Sequence, residues 1–297
     1  MELQSNQGIS THPAEVRQIL NSNQVMEGDG FPVSRPFPVA GALQIDPFLL
    51  LDHFGPVNWP PHRAPGVPDH PHRGFEAITY LLQGQIIHRD SAGHMGLMQP
   101  GCVQYMTAGR GVVHSEMPDP GFKAQGGWME GFQLWINLPA AKKMIPAQYT
   151  EIAAAHVPVI AFPGGSFKLI AGQAAGLQGP AQPQQPIHYR HYRLEPGATV
   201  QWEVDAGFVP WLYLLQGELA VGQPAVRLTK GQVAVFAPGG LVQAENQTQE
   251  PREFLALAGL PLNEPVARYG PFVMNSQLQI QEAVRDYQAG LMAQINN

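Results

Sequence analysis

The sequence predicts an all-β protein, built as a tandem repeat and closed by one C-terminal helix. Three observations lead there. The chain carries 32 glycines and 29 prolines in 297 residues, a density of turn formers that favours many short strands over long helices. Tyr80–Gly84 reads YLLQG and Tyr213–Gly217 reads YLLQG again, and the order of strands and turns around the two copies also matches. Ser276 followed by Gln279 is a capping-box pattern, after which Ile280, Ala283, Val284, Tyr287 and Leu291 recur at helical spacing.

Composition narrows the function classes. Hydrophobic residues make up 44% and charged residues 13%, which suits packed cores and not a disordered chain. The length allows two domains. The formal charge is −6 with no basic run, so direct nucleic-acid binding is not expected, because phosphate contacts need clustered Lys and Arg. Cys102 is the single cysteine; it fits a reducing compartment and reads as a packing residue. The start, MELQSNQGIS, lacks the basic and apolar segments of a signal peptide. The longest apolar run, FLALAGLPL at Phe254–Leu262, is too short to span a bilayer. A cytoplasmic monomer without a membrane segment is expected.

Taken in order, residues 1–23 are polar and read as a loosely held extension or a short packing arm, 24–140 as a first domain, and 141–297 as a second domain carrying the helix. The Pro- and Gly-broken runs of 28–54 suggest the first strands, with Leu49, Leu50 and Leu51 buried. Residues 58–71 are proline-rich and read as a loop leading to the first of two unusual pairs. Residues 76–82 (EAITYLL) form a β-branched and aromatic strand, with 85–89 (QIIHR) as its hairpin partner. A strand follows through Val103 and Tyr105. Gly109 and Gly111 can adopt positive φ and reverse the chain before VVHSE, and 131–138 (GFQLWINL) closes the first half. In the second half, 140–149 read as a connector, 164–173 as a hairpin segment and 176–186 as an exposed loop. Trp128, Phe132 and Trp135 read as core.

The stretch 69–117 carries the chemistry. His70 and His72 are two apart, as are His114 and Glu116. Side chains two apart on a strand point to the same face, so if the two strands are neighbours, four donors converge. Imidazoles with a carboxylate and no thiolate suit iron, zinc, nickel or manganese. Pro71 biases His70 towards extended backbone. Glu76, four residues after His72, is a second carboxylate candidate. In the second half no HxH recurs, and the corresponding positions hold Glu203, Asp205, Ala244 and Asn246. His53, His62, His88, His94, His156, His188 and His191 read as ordinary hydrogen-bonded or solvated side chains.

An HxH strand with Glu76 four residues on and a later His114 resembles the cupin superfamily of small jelly-roll β-barrels, here two in tandem. The longer strings HPHRGFE, PGCVQYMTAGRGVVHSEMP and EPVARYGPFVMN resemble the pirin family. That resemblance implies two tandem cupin barrels. It also implies one Fe(II) held in the first by His70, His72, His114 and Glu116, with nickel, manganese, copper or zinc as alternatives, and a metal-free second barrel. It further implies quercetin 2,3-dioxygenase activity on a flavonol-type aromatic substrate with O2, in which Glu116 doubles as ligand and base. The alternative it carries is an iron- and redox-dependent regulator that binds a protein partner, a transcription factor or a metabolic enzyme. The chain departs from the general cupin pattern at Thr107, where proline is usual. It departs again in offering Glu116 besides Glu76, which then reads as a hydrogen-bond acceptor for a ligand imidazole.

Overall fold

A computed structural model describes residues 12–40, 43–293 and 295; residues 1–11 of the polar extension lie outside it. Runs of β-branched and aromatic residues, cut by Gly and Pro, give twenty-six strands among the described residues. From the N-terminus these are β1 (Val16–Asn21), β2 (Asn23–Glu27), β3 (Phe31–Phe37), β4 (Phe48–Trp59), β5 (Val67–His72), β6 (Phe75–Gln83) and β7 (Ile86–Asp90). Then come β8 (Met95–Met98), β9 (Val103–Thr107), β10 (Val112–Pro118), a short helix α1 (Pro120–Gln125), β11 (Gly127–Asn137) and β12 (Gln148–Ile152). The second half holds β13 (Val159–Phe162), β14 (Gly165–Ala171), β15 (Gln173–Ala174), β16 (Leu177–Gln178), β17 (Ile187–Leu194) and β18 (Thr199–Val204). It continues with β19 (Val209–Leu214), β20 (Glu218–Val221), β21 (Val226–Thr229), β22 (Gln232–Phe236), β23 (Gly240–Glu245) and β24 (Arg252–Gly259). The hairpin of β25 (Ala267–Tyr269) and β26 (Phe272–Met274) precedes α2 (Gln277–Gln288).

The chain divides into two units, each with one seven-stranded and one four-stranded sheet besides a two-stranded hairpin. The N-terminal unit holds a seven-stranded sheet in the order β12-β9-β6-β11-β4-β3-β2 and a four-stranded sheet β5-β10-β7-β8. The C-terminal unit holds β1-β22-β19-β24-β17-β14-β13 and β18-β23-β20-β21. Apart from the edge strands β12 and β1 these orders correspond position for position, which is the duplication that the two YLLQG segments predict: Tyr80 and Tyr213 fall on β6 and β19. Each unit is therefore a two-sheet jelly roll of the kind expected for a cupin.

Four expectations change. Residues 85–89 are not a hairpin partner of β6: β6 pairs with β9 and β11, while β7 pairs with β8 and β10 in the other sheet. The turn at Gly84, with φ +94, carries the chain from one sheet to the other. Of the two readings of the polar N-terminal stretch, residues 12–22 take the packing arm and not the loose extension. β1 pairs antiparallel with β22, Leu20 opposite Val233, and fills in the C-terminal unit the edge that β12 fills in the N-terminal one. The helix α2 belongs to the N-terminal unit instead of the second domain, because Ile280 and Ala283 pack with Val113, Phe272 and Met274. Its cap is as read, Ser276 Oγ accepting from the Gln279 amide at 3.3 Å, although Leu291 lies beyond the helix and is exposed. Finally, the 176–186 loop is not simply exposed: Gln185 is buried and the Gln184 amide donates to Glu76.

Candidate metal centre

Two neighbouring strands of the four-stranded sheet bring the histidines together. β5 and β10 run antiparallel with His70 opposite His114 and His72 opposite Val112. Upstream of β10, Gly109 and Gly111 take φ of +49 and +136, conformations that an L side chain rarely adopts. The result is a cluster in which one nitrogen each of His70, His72 and His114 lies within 4.8 Å of the others. Ring centroids stand 4.3 to 4.8 Å apart.

His72 and His114 are buried, at 3% and 1% exposure. Burial, followed by the neighbouring His70, holds His72 well below the ordinary histidine value, with the Pro271 carbonyl acting the other way. Burial, then His70, His72 and His88, does the same for His114. Both rings are neutral at pH 7, the form that offers a lone pair to a metal. His70 Nδ1 sits 2.8 Å from the Pro68 carbonyl, so that as an N–H donor it leaves Nε2 as the acceptor. His72 Nδ1 and His114 Nε2 are buried without a hydrogen-bond partner. Buried polar atoms are seldom left so, and three clustered imidazoles, two of them with an unsatisfied buried nitrogen, fit a divalent transition metal. The donor set supports metal binding.

Glu116 lies two residues beyond His114, after a bulge in the β5 pairing. The gathered cluster is the three histidines; Glu116 is held beside them by the opposite sheet. Its Oε2 accepts from Gln133 at 2.9 Å and its Oε1 from Thr79 at 3.2 Å and Gln104 at 3.4 Å. These three donors form one row across β11, β6 and β9, with Gln133 opposite Thr79 and Thr79 opposite Gln104. Sequence reading passed over them, yet each is a polar residue in a largely apolar strand, at a position that alternation turns inward.

Glu76 is placed differently. It lies one strand position off the parity of Phe75 and Thr79 and so faces away from the histidines. Its carboxylate accepts from the Tyr105 hydroxyl, from Thr107 at 2.8 Å and from the Gln184 amide at 2.9 Å. No imidazole is among these partners, so the expectation that it fixes a ligand ring is corrected. Burial raises its pKa, against the three hydrogen bonds. His88 is the other surprise. It is fully buried, with Nδ1 3.4 Å from His114 Nδ1 and Nε2 3.4 Å from Asp90, and it stacks on Tyr149 at 4.3 Å. Despite burial, His88 and His94 pull Asp90 down to about 2.

A cavity of about 860 Å³ in the N-terminal unit includes His70, His72, Thr79, Glu116, Gln133 and Trp135 in its wall. Much of the remaining wall is apolar, from Phe31, Val33, Leu50, Phe54, Ile86 and Met129. Trp135 is buried as expected, but at the cavity, 5.1 Å from the His72 ring and stacked on Phe75. Trp128, expected in the core, is 52% exposed. In the C-terminal unit the corresponding interior is filled by Tyr192, Trp202 and Phe254 in stacked contact, with Val242 and Ala244. Among the described residues no helix is long and apolar enough to cross a membrane.

Comparison with known proteins gives the same reading of the chain. Residues 30–136 match the profile of the family described as Pirin, and residues 189–293 match that of the Pirin C-terminal cupin domain. A pirin-like protein of Solanum lycopersicum is 41% identical over 265 residues, covering 89% of this chain and 88% of its own. Human pirin is 37% identical over 269 residues, 90% of this chain and 89% of its own. Among solved structures, a quercetin 2,3-dioxygenase from Acinetobacter baumannii superposes with a TM-score of 0.89 at 38% identity, covering 95% of this chain and 99% of that one. With both of its halves matched and relatives this similar along most of its length, the chain belongs to the pirin family.

Proposed function

We propose that the N-terminal unit is an Fe(II)-dependent quercetin 2,3-dioxygenase-like centre acting on a flavonol-type aromatic with O2, and that His70, His72, His114 and Glu116 are its metal ligands. The observation that carries this reading is the cavity: about 860 Å³, largely apolar and lined by His70, His72 and Glu116, with His114 completing the cluster beside them. Its size lies within the ~300–1,000 Å³ range of small-molecule sites. A purely structural metal site fills its shell with protein ligands and has no need of such a space. Relatives named for this activity support the same reading.

Iron held by His70, His72, His114 and Glu116 would supply Lewis acidity and a redox centre for O2 chemistry. The chain's own residues do the rest. Trp135 and the apolar walls take up the planar ring and exclude water. Glu116 receives the proton of the substrate hydroxyl. Its carboxylate is aimed by Gln133, Thr79 and Gln104, which leaves it little freedom to rotate away. The products expected are a ring-opened depside and carbon monoxide.

The test is to purify the protein anaerobically, quantify its metal, and follow quercetin loss under O2 in wild type and His70→Ala. Near-stoichiometric iron, with turnover lost in the variant, is the expected outcome. Iron present with quercetin untouched would overturn the enzymatic reading and favour the regulatory one, in which the metal centre controls binding of a protein partner.

A further inference from the structure

The cavity has a second polar pole that the proposed chemistry does not use. Arg35, Asp52, Glu27 and Arg268 all contribute to its wall. The charges acting on Arg268 are Arg35, Asp52 and Glu27, whereas those acting on His72 and His114 are other histidines.

The two arginines are not in the same state. Arg35 is saturated: Nε and Nη2 reach the two Asp52 oxygens at 2.6 Å each, and Nη2 also meets Glu27. Arg268 has no such partner. Among the described residues no carboxylate lies within ion-pair distance of it. Its one hydrogen bond is from Nη1 to the Leu49 carbonyl, at 3.3 Å. Its guanidinium lies over Trp135, 5.1 Å from the ring centroid. Of five N–H donors, most have no protein acceptor. A half-buried guanidinium in that condition binds a carboxylate well, since its planar fork offers parallel charge-assisted hydrogen bonds. Trp135 is the shared neighbour of Arg268 and His72, so one ring-sized ligand can meet both poles.

We infer that Arg268 is a specificity-determining residue that makes this cavity select an aromatic ligand bearing a carboxylate, in addition to the oxygens it presents to the histidines. This rests on the proposed flavonol-type reading of the same cavity, and it names the subclass of substrate.

The test loads the full chain with zinc, which is redox-inert, and measures dissociation constants for three probes. These are 3-hydroxyflavone, its 4′-carboxylate and benzoate, each with wild type, Arg268→Met and Arg268→Lys. Wild type is expected to bind the carboxylated flavonol about tenfold more tightly than the neutral one. Arg268→Met should abolish that preference and leave the neutral flavonol within about twofold; Arg268→Lys should retain part of it. No preference in wild type, or an equal loss of both flavonols in Arg268→Met, overturns the inference and leaves Arg268 as packing for Trp135. If neither flavonol binds but benzoate does, and only while residue 268 is cationic, the flavonol reading fails and the carboxylate subsite stands. No binding of either carboxylated probe overturns the subsite itself. The wild-type comparison needs no variant, and Arg268→Lys serves should the methionine form not fold.

Discussion

His72 and His114 are neutral because they are buried, and this gives the site a definite pH response. Their folded values lie below the ordinary 6.5, so between those values and 6.5 the unfolded chain binds more protons than the folded one. Stability therefore rises with pH through that window, and is lost as pH falls below 6.5. Urea midpoints of the metal-free protein should drop progressively under pH 6.5, and His114→Ala should flatten the slope by removing one of the two groups. An unchanged slope in that variant would mean that the histidines are not the source. These residues were legible because spacing exposes them: two pairs at i, i+2 in one stretch. Others carry no such mark. Nothing in AAKKMIP separates Lys142 from Lys143, yet Lys143 is 1% exposed and donates to the Gly74 and Val273 carbonyls and to Asn137. Its surroundings come from strands far away in sequence.

At the scale of elements, the turn before β10 decides where His114 and Glu116 point. A Cβ on Gly109 would stand 2.1 Å from the Ile145 carbonyl oxygen, and on Gly111 2.8 Å from Met292 Cγ. The first neighbour is backbone and cannot step aside; the second is a flexible side chain. Gly109→Ala should therefore destabilise the N-terminal unit by more than about 1 kcal/mol. It should also weaken metal binding, because the turn feeds β10 directly. Gly111→Ala should cost less. Urea unfolding and metal competition on the same samples check both. The strands themselves were readable from alternation, and Gly109 and Gly111 from their position. What alternation does not encode is pairing. The apolar faces of β6 and β7 suit a hairpin as well as a crossing between sheets, and only the closure of the jelly roll decides. In the same way β1 is held by an edge of backbone hydrogen bonds, which polar side chains such as Gln18 and Asn21 neither advertise nor oppose.

Across the whole molecule, duplication leaves two jelly rolls with the same strand order and opposite interiors. One gathers three histidines and a row of polar donors; the other fills the same space with Tyr192, Trp202 and Phe254. That division was legible, since the repeat is visible in YLLQG and the HxH is missing from its second copy. The exchange of terminal segments, β1 to the C-terminal unit and α2 to the N-terminal one, was not. If a metal binds only where the histidines are, its free energy must appear in one unit alone. A ligand at a hundred times its Kd stabilises the state that binds it by about 2.7 kcal/mol, or roughly a hundredfold in the exchange of amides protected by that unit's unfolding. Hydrogen-exchange mass spectrometry before and after chelation should therefore show faster exchange in Val67–His72 and Val112–Pro118. The helix Gln277–Gln288 should respond with them, because it packs on Val113 beside His114. Ile187–Leu194 and Arg252–Gly259, at the centre of the other unit's large sheet, should keep their rates. Equal acceleration in all of these segments would mean that the two jelly rolls open as one, and that metal binding is coupled to the second as well as to the first.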